Sequence, residues 1–246
     1  MKIIVEKNYE EMSQMAANYM LHYMTMERPV NLAITAGRTP KRMYELLVPL
    51  VKNRSCFKNV HYYNFDEIPF KGLDCEPVTI GNLRKSYFTP AHIFEENIHP
   101  LTMENYAKHD ERLRAVNGLD MIMIGLGADG HYCGNSPGAT RFGDSTIKGK
   151  ILPEEIQSIA DTDMNGDTSL VPDEFVTMGP KSVMNAKNIV MIVNGSEKAE
   201  MVKRIIEGEV DEMVPASILP LHPSLTVILD AEAAALLSPK TLSAYR

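Results

Sequence analysis

Leu119-Asp120-Met121-Ile122-Met123-Ile124-Gly125, running straight into Leu126-Gly127-Ala128-Asp129-Gly130-His131, decides how the rest of the chain is read. A nearly all-apolar run that stops on glycine has the pattern of a central parallel strand, buried on both faces. The pattern recurs outward in both directions. Residues 2–5, 30–35 and 59–65 read as strands on the N-terminal side, and 189–193 and 225–229 on the C-terminal side. Helical stretches fall between them. Asn8 with Glu11 predicts a capped helix to about Met26. Thr39 predicts an N-cap with Pro40 at the first helical position, followed by the apolar stripe Met43, Leu46, Leu47, Leu50. Further helices are predicted after Thr79, after Thr102, from a Ser196 cap to about Glu207, and in the Ala-rich stretch after Asp230. Strand–helix alternation of this kind predicts an α/β fold, a Rossmann-like αβα sandwich with a mostly parallel sheet.

The chain of 246 residues is read as a single domain over 1–246, with an excursion or lid over 134–180 where periodicity is weak. Acidic residues outnumber basic ones 32 to 25, net charge −7, and no basic tract stands out. That predicts no nucleic acid and no anionic membrane as partner, although a local pocket can still oppose the global charge. Cys56, Cys75 and Cys133 form no CxxC and no metal-ligand spacing, as free thiols in a reducing compartment would. The N-terminus meets charge at once, unlike a signal peptide, and no apolar run approaches the ~20 residues that span a bilayer. A cytoplasmic location follows as the expectation.

In open parallel sheets ligands bind beyond the carboxyl ends of the strands. Four predicted strand ends carry polar residues: Thr35-Ala36-Gly37-Arg38-Thr39, Asp66-Glu67, Gly127 to His131, and Asn194-Gly195-Ser196-Glu197-Lys198. The first joins a strand to a helix N-terminus, which suits a phosphate, or is a plain turn with a capping threonine. Lys198 stands in the first turn of a helix, against the dipole, and is either a ligand contact or a solvated lysine. Of two adjacent carboxylates on a strand only one can face a site, as a general base or as a structural hydrogen-bond acceptor. His131, among glycines and beside Asp129, has the setting of a proton-transfer histidine. Asp161-x-Asp163-x-Asn165-Gly166-Asp167 opens like a calcium loop, but Pro172 occupies the position where such a loop closes with a bidentate glutamate. Gly-x-Ser-x-Gly and the nucleotide-binding glycine patterns do not occur.

Together, and in this order, these segments resemble the superfamily of glucosamine-6-phosphate deaminase/isomerase and 6-phosphogluconolactonase. Thr35 to Pro40 resembles its phosphate loop, Asn64-Phe65-Asp66-Glu67 its Asp-Glu motif, and Gly125 to His131 its signature. Asn194 to Ala199 is similar to its lysine segment, and Pro215-Ala216-Ser217-Ile218-Leu219 to the stretch before its last strand. The resemblance implies that Thr35, Gly37, Arg38 and Thr39, with Lys198, hold the 6-phosphate of a sugar. It implies Asp66 as the base that moves a proton between C1 and C2, and His131, oriented by Asp129, as the ring-opening group. No metal and no organic cofactor are implied, and the implied partner is a small phosphorylated sugar; a homo-oligomer is compatible with it. Ile68, where lactonases carry arginine after Asp-Glu, and Asn135-Ser136-Pro137 place the chain nearer the deaminases. Ser136 stands where they carry a glutamate, Arg38 where a small residue is usual, and 160–175 lacks their further phosphate-binding arginine. Aldose–ketose isomerisation of a hexosamine 6-phosphate, of glucosamine or galactosamine type, with or without deamination, is the implied activity. A 6-phosphogluconolactonase and a non-catalytic sugar-phosphate binding protein are the alternatives.

Overall fold

Seven short apolar segments build one sheet. The structure, a computed structural model, describes residues 1–245. Strands β1 (Lys2–Glu6), β2 (Val30–Ala33), β3 (Val60–Tyr63), β5 (Ile98–His99), β6 (Met121–Ile124), β9 (Ile189–Val193) and β10 (Leu225–Asp230) are all parallel. Their order is β1-β10-β9-β6-β2-β3-β5. Alternate residues feed opposite faces, as the pleat requires. Met121 and Met123 join one core with Leu32, Ile192 and Ile228, whereas Ile122 and Ile124 join the other with Ala33, Met191 and Leu229. Helices α1 (Tyr9–Met24), α2 (Lys41–Val51), α3 (Val78–Leu83) and the short α4 (Thr89–Ala91) cover the first face. On the second lie α5 (His109–Ala115), α7 (Pro180–Met184) and α8 (Ala199–Glu207). The result is the expected αβα sandwich. Among the described residues, no helix is long and apolar enough to cross a membrane.

Residues 134–180 carry structure of their own. A short strand β4 (Asp66–Glu67) pairs antiparallel with β8 (Glu174–Thr177), which pairs with β7 (Ile147–Lys150), so part of this segment is a second, three-stranded sheet. Between β7 and β8 lies α6 (Ile156–Asp163). Ala160 and Met164 are buried against Val78 and Val171, with Ile68, Ile156 and Ile159 packed around them. Phe175 lies over Gly134 and Gly149; a Cβ on Gly134 would sit 2.5 Å, and one on Gly149 2.7 Å, from its ring carbons.

The structure corrects several local expectations. Helix α1 ends at Met24. Thr39 is not a helix cap: Pro40 occupies the cap position, and the Thr39 hydroxyl donates to Asn194 Oδ1 at 3.0 Å. Ser196 does not cap α8 either. It lies in a tight turn over 196–198 and leaves Lys198 at the cap position. Turns, not an Ala-rich helix, follow Asp230, whose carboxylate accepts from Ala233 N at 2.8 Å and from Gly195 N at 3.1 Å. Helix α9 (Pro239–Ala244) starts only beyond Ser238, which caps Thr241 N. In the stretch that opens like a calcium loop, Asp161 accepts from Gln157 and Asp167 from Ser169. No cluster of three or more potential metal ligands occurs among the described residues.

Candidate functional site

Adjacent strands β9, β6, β2 and β3 are parallel, so their carboxyl ends share one rim of the sheet. The four polar segments singled out in the sequence are the segments that leave those ends.

After β2 the chain turns at Gly37, whose φ of 107° is open to glycine and strained for other residues. Tyr44 OH donates to the Thr35 carbonyl at 2.6 Å, and the Tyr9 hydroxyl lies 3.0 Å from the Thr39 carbonyl and 3.2 Å from that of Arg38. The Thr35 hydroxyl is turned into the loop, onto Ala36 O at 2.8 Å. Among the described residues, the N–H groups of Gly37, Arg38 and Thr39 meet no acceptor. Unspent N–H groups just before a helix make an anion site.

After β9 the chain turns at Gly195, φ 92°, where the buried Asp230 carboxylate holds the N–H. The Thr39–Asn194 bond ties this loop to the previous one. Burial lowers the Lys198 ammonium from its ordinary range; Glu197 and Asp129 oppose this, and Arg38, a second cation close by, adds to it. Two cations that repel each other beside free N–H groups are what an incoming dianion would relieve.

The loop after β6 closes on itself. Gly127 N donates to His131 O at 2.8 Å, and Asp129 Oδ1 receives His131 N at 3.1 Å and His131 Nδ1 at 2.6 Å. A Cβ on Gly127 would fall on both the His131 ring and the Asp129 carboxylate, so glycine is required for the pair to close. The bond from His131 holds the Asp129 carboxyl down at about 2, against partial burial. A carboxylate on Nδ1 makes that nitrogen the donor and leaves Nε2 as the acceptor, ready to take a proton.

Beyond β3 the two adjacent carboxylates divide their duties. Glu67 is buried, and its oxygens receive Thr79 N at 2.6 Å, Ile80 N at 3.0 Å, Ile68 N at 3.1 Å and Asn64 Nδ2 at 3.1 Å. Burial pushes its carboxyl up, but four N–H donors and no acceptor match the anionic form. Glu67 thus anchors β4 to the start of α3. Asp66 keeps one side-chain bond, from Thr79 Oγ1 at 3.2 Å. Burial raises its carboxyl to about 6; the Thr79 bond and the nearby His131 oppose the rise, and nearby Asp163 adds to it. The charge of His131 reaches Asp66, and those of Asp129 and Arg38 reach Lys198, so the loops after β2, β3, β6 and β9 lie near one another along one rim. A hollow of about 480 Å³ lies at the opposite rim, among Arg28, His61, His99 and Lys187. Both of its exposed cations already pair with Asp120, so polar geometry rather than volume marks the site.

The pattern of the glucosamine-6-phosphate isomerases and 6-phosphogluconolactonases matches residues 7–228. The chain belongs to that family. A glucosamine-6-phosphate deaminase of Halalkalibacterium halodurans is 35% identical over 242 residues, 95% of this chain and 96% of the relative. One from Shouchella clausii is 33% identical, with 98% and 99% covered. A monomeric glucosamine-6-phosphate deaminase superposes with a TM-score of 0.84 at 28% identity, over 96% of this chain and 100% of the other. A 6-phosphogluconolactonase from Trypanosoma cruzi, at 22% identity and a TM-score of 0.73, shares the fold.

This isomerase/lactonase-family chain is thus an enzyme, of the deaminase/isomerase kind. Three residues near Asp66 escaped the sequence reading. Thr79 entered it only as a helix start, and Cys133 only as a free thiol, although burial and the neighbouring Asp66 push that thiol far up. Asp163 entered only through the calcium-like spacing. The signal that finds it is the helical stripe 156, 159, 160, 163, 164, in which it is the one polar member.

Proposed function

We propose that the protein isomerises a hexosamine 6-phosphate, of glucosamine or galactosamine type, and releases ammonia. The observation that carries this is a half-shielded carboxyl tuned to about 6, Asp66, close to a carboxylate-backed histidine and on the same rim as the paired cations. The names of the deaminase relatives support the same substrate class.

Phosphate settles on the N–H groups of 37–39 and on Arg38 and Lys198. His131, held through Nδ1 by Asp129, takes the proton from O1 on Nε2 and returns it to the ring oxygen, which opens the ring. Asp66 then removes the proton from C2 and delivers it to C1. The C2 nitrogen gives up a proton and O1 gains one, so the C1 carbonyl becomes a hydroxyl and the C2 amine an imine. Water adds to C2, ammonia leaves, and a ketose 6-phosphate remains. A carboxyl near 6 is deprotonated at neutral pH and more basic than an ordinary aspartate, which suits a shuttle that both takes and returns a proton. Ser136, exposed enough to meet solvent, brings no further carboxylate to the histidine beside Asp129.

Ammonia and ketose formation, followed across glucosamine, galactosamine and mannosamine 6-phosphates, tests this. One of the three is expected to turn over, and Asp66→Asn to lose at least about 10³-fold in kcat with binding retained. No turnover of any of them, or hydrolysis of 6-phosphogluconolactone alone, overturns it.

A further inference from the structure

Helix α6 turns one face to the protein. Along that face run Ile156, Ile159, Ala160, Asp163 and Met164, the spacing of a single helical stripe. Four of the five are apolar and pack on Ile68, Val78 and Val171. Those neighbours are not arbitrary. Ile68 directly follows the Asp66-Glu67 pair, and Val78 directly precedes Thr79, the residue that bonds Asp66. The stripe therefore brings Asp163 to the edge of the Asp66 pocket, and the charge of Asp163 acts on Asp66.

A carboxylate is a poor choice for this position unless something cationic visits it. Asp163 is the last residue of α6, at the negative end of the helix dipole, where an anion is disfavoured. It is partly buried, and burial alone perturbs it: among the described residues no cation or side-chain hydrogen-bond donor meets it. The outward-facing acids of the same segment are satisfied locally, Asp161 by Gln157 and Asp167 by Ser169. Asp66 cannot serve as the standing countercharge for a bound cation, since its carboxyl must gain and lose a proton in each turnover. Meanwhile the free cations Arg38 and Lys198 lie beside the loops after β2 and β9. The rim thus carries cations at the loops after β2 and β9 and the two neighbouring carboxylates Asp66 and Asp163 beside β4 and α6.

We infer that Asp163 is a specificity-determining residue, whose carboxylate receives the ammonium on C2 of a 2-amino-2-deoxyhexose 6-phosphate and so selects a zwitterion over a sugar phosphate that lacks the ammonium. This role rests on the site reading above. It adds to that reading a residue outside the phosphate loops and outside the Asp66, Asp129 and His131 group.

The test uses two ligands that need no turnover: 2-amino-2-deoxyglucitol 6-phosphate and glucitol 6-phosphate, titrated calorimetrically at about pH 6, where the amine is protonated. The full-length protein should bind the amino ligand at least about tenfold more tightly, as fits a charge-assisted hydrogen bond. In Asp163→Asn that preference should fall to within about twofold, with glucitol 6-phosphate affinity unchanged, and Asp163→Glu should retain part of it. KM for the turned-over hexosamine 6-phosphate should rise about tenfold in Asp163→Asn, with kcat changed much less. An unchanged preference in Asp163→Asn, or equal weakening of both ligands, overturns the role of Asp163. Equal binding of both ligands by the unsubstituted protein overturns that role alone. Failure to bind either one overturns the sugar-phosphate reading together with it.

Discussion

Burial that raises the Asp66 carboxyl to about 6 governs both rate and stability. With the base form as the active one, kcat/KM should fall about tenfold per pH unit below about 6 and level off above it. Stability moves the other way. A folded value above the unfolded ~4 means that the folded chain holds this proton more tightly, so the carboxyl costs stability progressively from about pH 4 to about pH 6, and the full cost persists above that. Asp66→Asn should therefore raise the midpoint of thermal unfolding at pH 7 by a few degrees, for a gain of roughly 1–3 kcal/mol, while abolishing turnover. An unchanged or lower midpoint counts against Asp66 as a desolvated base. At this scale the sequence was informative where chemistry and glycine coincide. His131 and Asp129 announced themselves by the turn that Gly127 makes possible. The division of labour between Asp66 and Glu67 was legible only as a necessity that one of them face away; which one depends on Thr79 and Ile80, a dozen residues further along the chain.

Elements explain where the sequence reading was thin. The stretch 134–180 looked aperiodic because its strands are short and one of them pairs with Asp66-Glu67, a partner remote in sequence. Its packing depends on one aromatic ring over two glycines. Gly149 opposes Phe175 across the β7–β8 ladder, and Gly134 reaches the same ring from the site loop. Gly149→Val should push Phe175 out of register and destabilise the protein by roughly 1–3 kcal/mol. Because β8 pairs with β4, which carries Asp66, KM should rise as well. Denaturant titration beside steady-state kinetics checks both; a stability loss with KM intact would mean that the small sheet and the cleft are uncoupled. Thr39 and Ser196 carried ordinary capping chemistry in the sequence, yet the structure spends Thr39 on Asn194 and leaves Ser196 in a tight turn. A contact 155 residues away in the chain outcompetes the local one.

The whole molecule separates the site from its scaffold. Six of the seven strands of the main sheet were legible from apolar runs, the two-residue β5 and the strands β7 and β8 were not, and strand order, which makes four scattered segments neighbours, was not legible either. At the far rim, Asp120 accepts from Asn31 N at 2.9 Å, Arg28 Nη2 at 3.0 Å and Lys187 Nζ at 2.9 Å. Burial opposes its charge, yet these partners outweigh it and hold the carboxyl below the usual range. A depressed folded value contributes stability that is present above about pH 4 and is lost as pH falls through the folded value. Asp120→Asn should cost roughly 1–3 kcal/mol at pH 7, discounted for the exposure of both cations, and much less near pH 3, with kcat untouched. Equal losses at both pH values would assign the cost to packing instead. One consequence follows from the rungs Asp66↔Thr177 and Glu67↔Val176. The backbone that carries Asp66 is woven into the same ribbon as Val176 and Thr177. A shift of that ribbon carries Asp66 with it, so the carboxyl inherits its place from a stretch far downstream in the chain.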